Sequence, residues 1–171
     1  MPQTTYRQQV ILSRALQELQ QGKIPEASLE STLFAFGKAG YLPARSAIEQ
    51  CLNHPSVEVR STALKVLTHA FHLNEYGETA RHFLLDDPDE EIRAAGAQAL
   101  ADLYSQSRDQ QTLTLLARVV ANVHEVTSVR KAAYMAMHAI IGSDPRELFR
   151  LSRRLVDMEK DIDWEMVNTY L

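Results

Sequence analysis

Three histidines are the residues whose type and spacing come closest to a metal site. His69 and His72 are three positions apart, so a helix would carry both imidazoles on one face. His138 lies in a later segment with the same helical pattern and could approach them. However, the sequence places no Cys pair and no His-Glu-x-x-His motif beside these histidines, and such motifs are the usual marks of a zinc site. We therefore predict that the chain holds no metal.

A second group that could do chemistry is a set of arginines near the C-terminal end, which could bind an anion. Their spacing of i, i+4, i+7 and i+8 places them along one side of a helix, at Arg146, Arg150, Arg153 and Arg154. Acids follow at once, at positions 157, 159 and 161, and the whole chain has a net charge of -4. A protein that grips a phosphate backbone normally presents a basic face. We therefore expect a solvated helix face here, with anion binding as the alternative, and no nucleic-acid partner.

The sequence assigns no residue to catalysis. It contains no glycine-rich phosphate loop, no nucleophile elbow and no paired-carboxylate motif. The single cysteine, Cys51, has apolar neighbours, which favours a buried structural thiol over a reactive one. The sequence therefore favours a non-enzymatic protein and predicts no cofactor.

The compartment follows from cysteine use and from apolar runs. One cysteine excludes an internal disulfide and fits a reducing cytosol. The N-terminal residues show no basic region followed by an apolar run, which a secretory signal would need. No apolar stretch approaches the roughly 18 residues of a membrane span. We predict a cytoplasmic protein without a membrane partner.

The elements that must position these residues are set by an internal repeat. The stretch from Asp87 to Leu100 occurs again 33 residues earlier, from His54 to Leu67, and a looser third copy begins near His124. The positions that match in the first two copies are Pro55 with Pro88, Glu58 with Glu91, Val59 with Ile92, Arg60 with Arg93, Ala63 with Gly96, and Leu67 with Leu100. Each copy is therefore one structural unit of the same kind.

Two positions of the repeat have a clear physical use. One holds only small residues and marks the closest approach of a neighbouring helix; its occupants are Ala63, Gly96 and Ala133. The other holds an arginine just after the apolar anchor, near the turn between helices; its occupants are Arg60, Arg93 and Arg130. A guanidinium offers five donors to turn carbonyls or to a carboxylate of the adjacent repeat. We predict a structural role for these arginines.

Apolar residues recur at helical spacing along the chain, and turns of a few residues separate the apolar runs. We predict an all-α chain of about five antiparallel hairpins stacked as an α-solenoid, in a single domain over residues 1–171. The clearest repeats cover residues 43–141, with flanking hairpins at 1–42 and 142–171. Individual helices are predicted from about Thr4 to Gln21, from Ser56 to His72 and from Arg146 to Met158.

The pattern Asp-Pro-x-x-x-Ile-Arg-x-x-Ala/Gly resembles HEAT-like repeats, especially the short bacterial kind related to phycobilin lyase repeats. The resemblance implies a ladder between turn acids and arginines, which transfers to Asp87 with Arg60, Arg93 and Arg130. In the other two copies His54 and His124 stand where Asp87 stands. Such repeats serve as scaffolds, inhibitors, lyase subunits and some DNA-repair enzymes, so the resemblance implies a fold more than a function.

In solenoids of this kind the second helix of each hairpin usually lines the concave side. We therefore expect a partner to bind residues of the second helices that lie off the apolar stripe. Those positions are Ser61, Lys65, His69, His72, Gln98, Lys131, Tyr134 and His138. The leading hypothesis is a non-enzymatic adaptor, scaffold or inhibitor, for example an immunity-type protein, that binds a protein on this face. The alternatives are a nucleic-acid-binding or DNA-repair protein and a chromophore lyase subunit.

Overall fold

A computed structural model describes residues 5–155 and 157–171, which form α-helices joined by short turns and contain no strand. The α-helices of these residues are α1 (Tyr6–Gln20), α2 (Glu26–Ala39), α3 (Arg45–Gln50), α4 (Val57–Lys65), α5 (Gly77–Asp86), α6 (Glu90–Leu103), α7 (Gln110–Ala121), α8 (Thr127–Ile141), α9 (Pro145–Arg154) and α10 (Trp164–Asn168). The all-α prediction is therefore confirmed, and the packing is that of an α-solenoid.

Short polar side chains begin several helices. Before α6, Asp89 accepts the backbone N–H of Glu91 at 2.8 Å, and Glu90 and Glu91 add negative charge to the first turn. Before α7, Asp109 accepts the N–H of Thr112 at 2.8 Å. These contacts satisfy helix donors that would otherwise lack a partner. The N-cap of α6 is Asp89, two residues beyond the Asp87 of the repeat pattern.

The chain divides into two compact units, with the boundary between Tyr76 and Gly77. In unit 1, α2 lies against α4 and the turn that follows α4. The largest fully buried side chains there are Leu33, Phe36, Ile48, Leu64 and Leu67. Cys51 is buried as expected, and burial raises the pKa of its thiol, which donates to the Ala47 carbonyl at 3.4 Å.

In unit 2, α5 packs on α6, α6 on α8, and α7 on α8. Gly96 lies where α6 meets α5, because a Cβ placed there would lie 2.6 Å from the Leu84 amide nitrogen and 2.7 Å from the Ala80 carbonyl oxygen. Both atoms belong to the backbone and cannot turn aside. The prediction of a close helix contact at Gly96 is confirmed.

One of the predicted helix ranges changes its helical type before its C-terminal end, and another ends earlier than predicted. The helix predicted over 56–72 is α-helical only to Lys65; a π-helical turn follows over Val66–Ala70, and the N–H of Phe71 bonds to the carbonyl of Val66. The helix predicted over 146–158 ends at Arg154. The predicted start at Thr4 lies outside the described residues. Within them, Thr5 caps α1. Apolar periodicity continues through the π-helical turn and past Arg154, so the sequence pattern could not mark either change.

The last hairpin of unit 2 differs from the others. Here α9 lies against α8, whereas the short α10 lies against α7. The segment from Leu155 to Asp163 joins them, with Leu155, Met158 and Ile162 buried. Within the described ranges, no helix is both long and apolar enough to cross a membrane. The single-domain arrangement of the two units stays a prediction.

Candidate functional site

The arginines of the repeat bind the turns of the chain. In unit 2, Arg93 donates through Nε and Nη2 to both carboxylate oxygens of Glu125, at 3.0 and 2.9 Å. Its Nη1 also donates to the carbonyls of Asp87 and Pro88, at 3.0 and 3.1 Å. The hydrogen bonds from Arg93 hold the pKa of Glu125 below its ordinary value, against the opposing effect of burial. One guanidinium therefore closes its own turn and reaches the next one.

The equivalent arginines make related contacts. In unit 1, Arg60 donates through Nη1 to the carbonyls of His54 and Pro55, at 3.0 and 2.9 Å. In unit 2, Arg130 is buried and donates to the Val120 carbonyl at 2.8 Å and to the Glu159 carboxylate at 3.3 Å. These contacts support a structural role for the repeated arginines.

The acid that meets Arg93 is one residue away from the position that the repeat pattern marks. His124 aligns with Asp87, but the neighbouring residue, Glu125, carries the ion pair. Asp87 itself accepts the backbone N–H of Asp89 at 2.9 Å. The substitution of an acid by His124 therefore does not interrupt the ladder in this unit.

In unit 1 the second helices present an exposed aromatic ring. Phe34 on α2 is 41% exposed, and the Lys65 ammonium on α4 lies 5.6 Å from the centre of its ring. His69, one turn further on, is also exposed. We call Phe34, Lys65 and His69 the Phe34 surface. Ser61, one turn before Lys65, is half-buried.

His69 and His72 lie close together, with ring centres 6.2 Å apart. His72 is exposed and has a φ of 52°, in the left-handed region. Across residues 5–155 and 157–171, no cluster of three or more His, Cys, Asp or Glu side chains could hold a metal ion. The two histidines therefore belong to the polar surface of unit 1.

In unit 2 the expectation that Tyr134 is an exposed contact residue is wrong. Its side chain is 1% exposed, and its hydroxyl accepts the backbone N–H of Asp163 at 2.9 Å. The C-terminal segment covers the ring and removes it from any partner. Of the other predicted positions, Gln98 is exposed, and Lys131 and His138 are half-buried.

A cavity of about 520 Å³ lies beside Tyr134, between α8, α9 and the segment before α10. We call it the C-terminal cavity. Its lining includes Tyr134, His138, Leu148, Leu151, Arg150 and Arg154. The volume lies within the range of small-molecule sites. Residues predicted for two separate roles, protein binding and anion binding, thus share one site.

The repeat signature and these contacts agree with comparison to known families. A family model described as HEAT repeats matches residues 44–127. The chain is a HEAT-like repeat protein. HEAT repeats are commonly protein-interaction modules. Comparison with curated proteins and with solved structures found no match.

The HEAT repeat match covers α3 to the first residue of α8 and therefore includes Arg60, Asp87 and Arg93. Phe34 and the C-terminal cavity lie outside it. The match concerns the repeat family only, so the phycobilin-lyase-like type stays a prediction. Lys65 and His69 of the Phe34 surface lie within the match.

His138 lines the C-terminal cavity, where burial disfavours its charged form. Its Nδ1 lies 3.0 Å from the Ser143 hydroxyl, and its ring stands edge-on to Tyr134 with centres 4.8 Å apart and planes at 84°. Burial lowers the pKa of His138, while the nearby charges of Asp163 and Glu147 oppose this effect. Its Nε2 is buried without a hydrogen-bond partner in the described residues, so a proton there would be poorly solvated.

The four predicted anion-binding arginines separate into two groups. Arg150 and Arg154 line the C-terminal cavity. Arg153 instead lies over the ring of Phe149, 5.5 Å from its centre, and Arg146 lies exposed in the first turn of α9. The four side chains therefore do not act as one patch.

Two exposed phenylalanines were missed by sequence reasoning. Phe149, which is 63% exposed, stands within the arginine segment. Phe34 lies off the buried stripe of α2, which contains Leu29, Leu33 and Phe36. A phenylalanine off the apolar face of an amphipathic helix is a usable signal, and it could have identified both residues.

Proposed function

We propose that this HEAT-like protein is a non-enzymatic adaptor, scaffold or inhibitor that binds a protein partner through its second helices. The Phe34 surface is the centre of this site in unit 1. The observation that carries the proposal is the exposed ring of Phe34 with the Lys65 ammonium 5.6 Å from its centre. The ring and the cation come from two successive second helices, α2 and α4.

The chemistry of this pair indicates the kind of partner. Exposed aromatic residues supply much of the binding energy in protein interfaces when a partner covers them. A lysine beside such a ring adds a positive charge at the edge of the contact. We infer that the partner offers an apolar side chain to Phe34 and a carboxylate to Lys65. The charge would fix the orientation of the partner and increase the association rate.

The test compares Phe34→Ala combined with Lys65→Glu against Leu85→Ala. Leu85 is an exposed apolar residue on α5, a first helix, so its change controls for general loss of apolar surface. Partners captured from native extract by the unaltered protein are purified and titrated against each variant. We expect the double variant to weaken binding at least about tenfold, because central aromatic contacts are commonly worth about 2 kcal/mol. Leu85→Ala should have little effect. A partner that binds the double variant unchanged would contradict the proposal.

One observation favours a second candidate function, binding of single-stranded nucleic acid by α9. Exposed Phe149 stacked with Arg153 provides the aromatic and cationic pairing on which bases can stack. Titration with single-stranded DNA at several salt concentrations tests this candidate. Saturable, salt-dependent binding that Phe149→Ala abolishes would support it. The chromophore-lyase alternative and the cytoplasmic location stay predictions.

A further inference from the structure

The C-terminal cavity is lined by charged side chains together with apolar and aromatic ones. Tyr134, Leu148 and Leu151 form apolar parts of its lining, from α8 and α9. The hydrogen bond between the Tyr134 hydroxyl and the Asp163 N–H fixes the segment before α10 to α8. The cavity is thus built by three parts of unit 2, and this hydrogen bond links two of them.

The cations of the cavity differ in whether they already have a partner. Lys160 pairs with Asp157 at 3.1 Å. Arg150 and Arg154, one helical turn apart, are exposed and make no hydrogen bond or ion pair with any described residue. Two guanidiniums at this spacing offer a set of N–H donors on one side of the cavity.

The acids of the cavity are used in a different way. The Asp163 carboxylate accepts the Met166 N–H at 3.0 Å, and the Asp161 carboxylate accepts the Asp157 N–H at 2.7 Å. Glu147 is the lining acid that makes no hydrogen bond or ion pair with a described residue. In formal charge, Arg150, Arg154 and Lys160 balance Glu147, Asp161 and Asp163. What the site offers a ligand is therefore two guanidiniums without a partner in the described residues, and not a net positive charge.

We propose that the C-terminal cavity binds a small organic anion that carries a carboxylate or phosphate on a compact apolar body. Arg150 and Arg154 hold the anionic group, since a guanidinium matches the geometry of both groups with paired N–H donors. Leu148 and Leu151, which are half-buried, contact the apolar body. The site is separate from the Phe34 surface, so either can be present without the other.

The test uses titration of the full chain with phenyl phosphate and with benzoate, followed by calorimetry and by the fluorescence of Trp164. Trp164 is the single tryptophan of the chain and directly follows Asp163 at the cavity wall. We expect saturable binding of at least one of the two anions, and whichever binds more tightly identifies the preferred group. Phenol and inorganic phosphate, which lack the anionic group and the apolar body respectively, should bind more weakly.

Matched variants on α9 test the assignment of residues. Arg150→Gln and Arg154→Gln should each weaken binding at least about tenfold, since each removes charge-assisted hydrogen bonds. Arg153→Gln removes the same charge from the same helix but lies over Phe149, so it should change the affinity by less than about twofold. Glu147→Gln should strengthen binding because it removes a negative charge from the rim.

Three results would overturn the proposal. The first is the absence of saturable binding by either anion to the unaltered, folded chain. The second is an equal loss of affinity in Arg153→Gln, which would indicate general attraction to a basic helix. The third is binding of phenol as tight as that of phenyl phosphate, which would remove the role of the arginines. Circular dichroism of each variant checks that it is folded, as expected for changes of exposed side chains.

Discussion

The repeat turns and the last long helix of unit 2 use arginine in opposite ways. Arg93 and Arg130 donate to backbone carbonyls and to the acids Glu125 and Glu159, and their side chains are largely withdrawn from solvent. Arg150 is exposed and without such a partner in the described residues. We infer from this difference that the arginines that recur with the repeat stabilise the fold. We infer also that Arg150 and Arg154 remain available for binding.

The largest expected effect on stability is at Tyr134, which lies on α8 and also lines the C-terminal cavity beside α9. Tyr134→Ala should lower the free energy of unfolding of unit 2 by about 3 to 5 kcal/mol, because it empties a fully buried aromatic site and releases the Asp163 N–H. Urea denaturation followed by Trp164 fluorescence measures this loss. Tyr134→Phe keeps the ring and serves as the control, with a loss of about 1 kcal/mol. A loss below about 1 kcal/mol for Tyr134→Ala would mean that the ring is not structural.

The next effect concerns the arginine that the repeat places at its turn. Arg93→Gln should cost about 3 kcal/mol, because it leaves the Glu125 carboxylate and two turn carbonyls without their donor. Chemical denaturation of Arg93→Gln beside Arg118→Gln provides the measurement. Arg118 is an exposed arginine on α7, so its change removes the same charge without a turn contact. Equal stability of the two variants would refute the difference between repeat and surface arginines.

A smaller effect is expected at the helix crossing of the repeat. Gly96→Ala should destabilise the protein by about 1 to 2 kcal/mol, because its methyl group would press on the Leu84 and Ala80 backbone. The steric cost of the methyl group is larger than this net loss, because alanine favours the helix by about 1 kcal/mol over glycine. Thermal unfolding measures the change, with Gln98→Ala on the exposed side of α6 as control. A variant more stable than the parent would show that the two helices can separate without cost.

The smallest effect is the pH dependence of the Arg93–Glu125 pair. Glu125 has an ordinary pKa of 4.5, and the hydrogen bonds from Arg93 lower the pKa in the folded protein. Its ionised form therefore adds stability that is complete above pH 4.5 and is lost as the pH falls through the lowered folded-state pKa. Unfolding free energies measured from about pH 6 to about pH 3 should fall less steeply in Glu125→Gln than in the parent. Parallel curves would contradict this contribution.

The fold could be predicted because its signals are local. The pattern around Asp89, Ile92 and Gly96 contains a cap, an apolar anchor and a small contact residue within two helical turns. The identity of the acid that meets Arg93 was less accessible, because Glu125 is 32 residues away in a turn whose length differs between copies. An offset of one residue in such a turn changes the partner and leaves the apolar periodicity unchanged.

The binding features were harder to predict because they depend on how distant segments cover one another. Tyr134 lies off the apolar stripe of α8, yet it is buried, and its hydroxyl meets the backbone of Asp163, 29 residues later. Arg150 and Arg154 follow the same helical spacing as Arg153 and Arg146, yet the cavity separates them. Helical periodicity identifies which face of a helix is apolar. It does not identify which later segment covers the rest.

The most direct test of this division of roles measures stability and ligand binding on the same two variants, Arg93→Gln and Arg150→Gln. We expect Arg93→Gln to lose about 3 kcal/mol of unfolding free energy while its folded form keeps the parent's affinity for phenyl phosphate. Arg150→Gln should keep its stability within about 0.5 kcal/mol and lose at least about tenfold in affinity. If stability and affinity fell together in each variant, repeat arginines and cavity arginines would not have separate roles.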